Sequence, residues 1–131
     1  MKKTTLFLTL LIFSVCFLSC SKDEESTFEQ ELVGTKWIAL DWYYTDVYEG
    51  ACYEIYEFIS ATNVKLYVTK NGEVVKDALG SQTCTYVLTY PYIAIYYPNT
   101  GKTDNFLFTD SRTMIRDGYE SGDLSGKYLK Q

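Results

Sequence analysis

Val64-Lys65-Leu66-Tyr67-Val68-Thr69-Lys70-Asn71-Gly72-Glu73-Val74-Val75 is the stretch on which the fold turns. Val64, Leu66 and Val68 alternate with Lys65, Tyr67 and Thr69, the period of two that sends one set of side chains inward and the other outward along a β-strand. Asn71-Gly72 then supplies the residue pair that best tolerates positive φ at both central positions of a type I′ turn, whose twist matches two antiparallel strands. A hairpin is expected here, with strands at 64–69 and 73–79.

Outward from this hairpin the same signals repeat. Thr35 to Thr45, rich in Trp, Tyr and Ile, reads as a first strand, and further strands are expected at about 52–59, 83–90, 92–97, 102–109 and 112–117. Gly50, Gly80-Ser81-Gln82, Pro91, Pro98-Asn99-Thr100-Gly101 and Asp110-Ser111 punctuate them with turn residues. A last short strand, Lys127 to Lys130, is expected to pair with the first and help closure. With 13 Tyr, 7 Phe and 2 Trp the chain favours strands over helices. Short strands joined by tight turns predict an all-β, antiparallel up-and-down barrel of eight strands, the number that closes a small barrel with no free edge. Such an interior is filled by its own side chains or holds one small ligand.

The N-terminal end is of another kind. Lys2 and Lys3 precede an apolar run from Leu6 to Leu18, shorter than the span of about 20 residues that crosses a bilayer and suited to a signal-peptide core. Residues 1–19 are therefore expected to be an export signal, 20–31 a tether beginning at Cys20, and 32–131 the barrel. Phe17-Leu18-Ser19-Cys20 resembles the lipobox of bacterial lipoproteins, with Phe17 where Leu is usual. In that family the cysteine is thioether-linked to a diacylglycerol and becomes the mature N-terminus, so the resemblance implies a lipid anchor at Cys20. Ser21-Lys22-Asp23-Glu24-Glu25 resembles the acidic motif that, in one group of Gram-negative bacteria, sends lipoproteins to the outer face of the outer membrane. Exterior display is implied, with the periplasmic face as the alternative. Charges there also simply keep a tether solvated.

Of the net charge of −5, removal of Lys2 and Lys3 leaves −7. Lys22 against Asp23, Glu24, Glu25, Glu29 and Glu31 assigns −4 of it to the tether and −3 to the domain. A surface of that sign, with no Lys/Arg cluster, excludes nucleic acid as a partner. The chain contains no His, which removes Ser-His and Cys-His pairs, imidazole metal ligands and a general base poised near neutral pH. No metal, cofactor or enzymatic activity is expected. Glu54 and Glu57 suggest a carboxylate pair of the glycosidase kind. Their odd spacing on a strand sends them to opposite faces, so they are expected to be solvated or rim charges. Gly101-Lys102-Thr103 echoes a phosphate-binding loop, but Tyr96 stands where the earlier glycine is needed and the segment joins two strands.

Beyond Cys16 in the leader and Cys20, two cysteines remain, Cys52 and Cys84. A bridge between them would contribute about 3–4 kcal/mol by closing a loop of about 30 residues, whereas the expected topology sets them at opposite barrel ends. Both states stay open.

Leu32-Val33-Gly34-Thr35-Lys36-Trp37, followed by Tyr53-Glu54-Ile55-Tyr56-Glu57-Phe58 and the Asn-Gly hairpin, resembles the small lipocalin-like lipoproteins of Gram-negative bacteria. Lipocalins carry Gly-x-Trp, and this chain has one residue more between Gly34 and Trp37, a spacing that also fits stress-related β proteins of bacterial envelopes. In line with the resemblance, Trp37 is expected to plug one barrel end.

In an up-and-down barrel of the strands named above, alternate loops share a rim. One rim is expected to gather Trp42, Tyr43, Tyr44 and Tyr48 with Tyr90 and Tyr92, an aromatic mouth for a small apolar or aromatic ligand. The alternative is a non-enzymatic interaction module or inhibitor that presents this Tyr-rich rim to a protein or glycan. An interior packed with Tyr56, Leu66, Phe106 and Phe108 favours the second.

Overall fold

The computed structural model describes residues 27–39, 51–118 and 126–131. The expected leader, Cys20, Ser21-Lys22-Asp23-Glu24-Glu25 and the rim residues Trp42, Tyr43, Tyr44 and Tyr48 lie outside the described residues, as do residues 40–45 of the expected first strand.

The chain begins with a helical turn, α1, over residues 27–32. Phe28 and Leu32, four apart, share one face of it. Leu32 is fully buried, and the Phe28 ring lies 4.8 Å from Phe108 and 4.7 Å from Tyr90. The folded domain thus starts inside the stretch expected to be tether, because an aromatic ring at 28 finds rings to pack against. Gly34, at φ 87°, ends the turn in the left-handed conformation that Cβ-bearing residues disfavour. Its N–H donates to the Phe58 carbonyl at 2.7 Å, which steers the chain into the sheet.

Nine strands follow among the described residues: β1 Lys36–Ala39, β2 Cys52–Phe58, β3 Asn63–Lys70, β4 Glu73–Val74, β5 Gln82–Thr89, β6 Tyr92–Tyr97, β7 Lys102–Asp110, β8 Thr113–Arg116 and β9 Lys127–Lys130. They form one antiparallel sheet in the order β2-β1-β9-β8-β7-β6-β5-β3-β4, and β2 also pairs with β3. That last pairing closes eight strands into a barrel, with β4 as an appendage. The architecture is the expected one and is compatible with a lipocalin-like fold.

The eight are not quite the strands expected. Asn71 and Gly72 adopt φ 54° and 82°, as the hairpin requires, but the return strand stops after two residues. Beyond Glu73–Val74 the alternation fails: Val74 and Val75 are adjacent, and Asp77 takes φ 60°. Instead of extending, the chain folds inward so that Ala78 and Val75 pack against Cys52 and Val68. β3 therefore pairs with β4 only through Thr69 and Lys70, and with β5 through Asn63 to Leu66. The vacant position in the barrel is taken by β9, which lies between β1 and β8, with Ile38 opposite Leu129 and Met114 opposite Tyr128.

This exchange changes which loops share an end. At the proximal end, where α1 enters, lie the turns 59–62, 90–91 and 111–112. At the distal end lie the end of β1, the start of β2, the 71–81 segment, the turn 98–101 and the end of β8. Tyr90, in the β5–β6 turn, and Tyr92, which opens β6, are consequently proximal, a barrel length from where β1 stops and β2 begins. The demoted strand shifted the parity of every later loop, and the other residues of the expected rim, Trp42, Tyr43, Tyr44 and Tyr48, lie outside the described residues.

The core is the barrel interior. Trp37, Tyr56, Phe58, Val64, Ile93, Ile95, Phe106 and Met114 are at most 1% exposed. Aromatic rings meet edge to face along its length: Trp37 on Phe108 at 5.2 Å, Phe58 on Tyr86 at 5.1 Å, and Tyr56 on both Phe106 at 5.5 Å and Tyr128 at 5.1 Å. Such contacts add about 0.5–1.5 kcal/mol each to what area burial contributes.

Candidate functional site

Toward the distal end the interior changes from apolar to polar. Period two places Glu54 on the inner face of β2 with Cys52, Tyr56 and Phe58, and Arg116 on the inner face of β8 with Met114. β9 contributes Tyr128, β6 Tyr97 and β7 Asp104. The Arg116 Nη2 lies 2.8 Å from the Tyr128 hydroxyl, 3.3 Å from that of Tyr56 and 3.4 Å from Glu54 Oε1. Tyr128 in turn donates its hydroxyl proton to Glu54 at 2.8 Å. Tyr56 accepts from Arg116 and its hydroxyl shares a hydrogen bond of 2.7 Å with that of Tyr97. The guanidinium also stacks on Phe106 and Tyr128, 5.4 and 5.7 Å from their centroids, and its Nε sits 3.7 Å from Asp104 Oδ2.

Burial alone would disfavour the charge on Arg116, but the oxygens of Tyr128, Tyr56 and Glu54 outweigh it and keep the group cationic. The phenols respond oppositely. Burial, then the negative charge of Glu54, raises Tyr56 and Tyr128 well above the ordinary tyrosine value, and burial raises Tyr97. These hydroxyls are donors and acceptors at neutral pH, never bases. With Glu54 and Asp104 set against one Arg, the cluster carries a net charge of −1, its second carboxylate 40% exposed, and it forms a polar layer across the distal part of the core.

A pH dependence follows from these directions. Below about pH 10 the three phenols are protonated in folded and unfolded chains alike, and the full stability is present. Above it the unfolded chain releases protons that the folded one keeps, so stability falls by about 1.4 kcal/mol per pH unit for each phenol until the raised folded values are reached. Urea melts at about pH 9 and about pH 11 should differ by several kcal/mol. Simple titration of every tyrosine near pH 10 in the still-folded protein would contradict this.

Trp37 lies inside the proximal end, 1% exposed, its indole N–H donating to Thr35 Oγ1 at 2.9 Å. Tyr92 faces outward on β6 and lines a cleft of about 510 Å³ with Leu107 and Ile115. Cys52 and Cys84 are free and buried in separate clusters, which rules out the bridge that the sequence left open. Their partners on the intervening β3, Lys70 and Val64, are about 20 Å apart along the strand, far beyond the reach of a disulfide of about 7 Å between Cα atoms. Burial, with a contribution from Glu54, also lifts the Cys84 thiol to about 11. Neither thiol is expected to react with an aromatic disulfide reagent at pH 8 until denaturant is added, which a colorimetric assay measures directly.

Glu54 and Glu57 do face opposite ways, but Glu54 is not a rim charge. It is the internal acceptor of the cluster. The sequence signal was there: Glu54 shares parity with Tyr56 and Phe58, and Arg116 with Met114. What the parity does not reveal is that Glu54 and Arg116, 62 residues apart in sequence, are in contact. On the outer face, Ile55, Tyr67 and Thr69 are also buried, beside a cleft of about 560 Å³ that includes Ile38, Tyr53 and Val74. Burial, and then Glu57, pushes the Tyr67 phenol up to about 12.

Comparison with family models, with curated proteins and with solved structures finds no match for this chain.

Proposed function

We propose that Cys20 is acylated, that the protein is anchored by that lipid in the outer membrane facing the cell exterior, and that its barrel is a non-enzymatic recognition module for a protein or glycan. The observation that carries the last point is the set of large side chains that occupy the interior among the described residues. Tyr56, Leu66, Phe106 and Phe108 belong to one buried cluster, and the Arg116 layer lies beyond them. A side-chain-filled barrel of eight strands recognises through its surface instead of enclosing an apolar molecule. The absence of His from the chain, and an internal acid already engaged by Arg116 and Tyr128, support the non-enzymatic reading. Trp42, Tyr43, Tyr44 and Tyr48 remain the aromatic residues proposed for contact, since the strands they connect, β1 and β2, end and begin at the distal end.

Two measurements test this. Cell fractionation of wild type and Cys20→Ser should find the first in membranes and the second released; equal membrane retention would remove the anchor. Native mass spectrometry of the protein recovered from its own cell surface should show a stoichiometric protein or glycan. A co-purifying small apolar molecule in its place would return the domain to the ligand-enclosing class.

A further inference from the structure

The position of α1 makes the two barrel ends unequal with respect to a membrane. Phe28 is held between Tyr90 and Phe108, so the chain joins the domain at the proximal end. Six residues, seven Cα–Cα steps, separate Thr27 from Cys20. Fully extended they reach about 25 Å, and as a coil they span about 15 Å. The eight residues of β3 alone cover about 26 Å along the barrel wall. A lipid on Cys20 thus places the proximal end within reach of the bilayer and leaves the distal end a barrel length further out.

The proximal end has the surface chemistry for that position. Val33, Ile59, Tyr90 and Tyr92 are all large, apolar or aromatic, and exposed, at 38, 51, 40 and 59%. They come from four separate segments, the α1–β1 turn, the residue after β2, the β5–β6 turn and the first residue of β6, that converge only in the fold. At the same end Arg112 and Lys130 line a cleft of about 370 Å³ together with Phe28 and Glu31. Tyrosines with an apolar ring and a wet hydroxyl, aliphatic side chains, and cations on long stems are the set that settles at a membrane–water interface. Glu29, Glu31 and Asp110 at the same end offset the cations, so attachment there depends on apolar insertion more than on charge.

We propose that the proximal end is a membrane-contact surface, seated in the headgroup region of the bilayer that holds the Cys20 lipid, so that the distal end points away from it. This rests on the anchor reading above. Insertion of a few side chains is a weak interaction on its own. The anchor makes it intramolecular, at an effective concentration where weak contacts are populated.

The test uses the full-length acylated protein in vesicles of phosphatidylethanolamine and phosphatidylglycerol carrying a headgroup-level nitroxide lipid. A fluorophore is placed at Ile59→Cys or, at the distal end, at Thr100→Cys; Cys52 and Cys84 are buried and stay unlabelled. Quenching is expected to be several-fold stronger at 59 than at 100. Adding Val33→Asp and Tyr92→Asp should reduce it at 59 to the level at 100 while the circular dichroism spectrum stays unchanged. Equal quenching at both sites, or quenching at 59 that survives the two aspartates, would overturn the proposal. So would crosslinking of position 59 to position 59 of a second copy, which would assign this surface to self-association. The anchor fails in a different way: the purified protein would lack the acyl mass, or Cys20→Ser would bind the vesicles as well as wild type.

Discussion

Arg116→Met is expected to destabilise the domain by about 2–4 kcal/mol, toward the lower part of the range for breaking a buried ion pair because the Arg116 side chain is 23% exposed. The loss comes chiefly from what is left behind. Glu54, 12% exposed, would keep a single donor, the Tyr128 hydroxyl, and the Tyr56 and Tyr128 oxygens would lose the guanidinium that both accept from. The double variant Arg116→Met with Glu54→Leu is therefore expected to recover much of the loss, since the buried carboxylate goes with the cation and the one that remains, Asp104, is 40% exposed to water. Urea melts of the four proteins of this cycle give the coupling, expected at about 0.5–3 kcal/mol. A double variant as unstable as the sum of the singles would show that Arg116 and Glu54 act independently, and would remove the network as the feature that holds this polar layer together.

Trp37→Ala carries the other large effect, an expected loss of about 3–5 kcal/mol. Among the described residues Trp37 is the largest of the fully buried side chains, and it lies edge-on to Phe108, which itself bears on Phe28 of α1. Its removal opens a space at the proximal end that the sheet cannot collapse to fill, and it removes the donor to Thr35 at the point where α1 hands over to β1. Trp37→Phe, which keeps a ring against Phe108 and loses only the indole N–H and part of the volume, should cost less than half as much. Thermal or urea unfolding distinguishes the two. Equal losses would mean that the hydrogen bond to Thr35, and not the packed volume, is what Trp37 supplies.

The two predictions differ in how legible their residues are. Trp37 stands in a run rich in Trp, Tyr and Ile that reads as a strand, and its place as an end plug is what the lipocalin-like resemblance of Leu32 to Trp37 implies. Arg116 is not legible in that way. A cation on the inward face of a strand contradicts binary patterning unless a partner is known, and its partners stand on β2 and β9, far away in the chain. The same distinction explains the misplaced return strand. Asn71-Gly72 dictates a turn by its backbone preferences, but how far the following residues stay paired depends on whether Val75 and Ala78 find something better to pack on. They do, in Cys52 and Val68. β9 shows the converse. Lys127 to Lys130 is four residues long and unremarkable as a strand, and it completes the barrel because β1 and β8 both present it a free edge.

Amino-acid order alone determined the class of the fold, its turns, the inward face of β3 and the eight-strand count, because these follow from φ preferences and the two-residue repeat, which act over a few neighbours. The tertiary structure decided which eight strands close the barrel, which loops share an end, that Cys52 and Cys84 lie in separate clusters, and that Glu54, Arg116 and three tyrosines form one internal layer. Each of these depends on the pairing of distant segments, and a single change in that pairing reassigns every later loop to the opposite end.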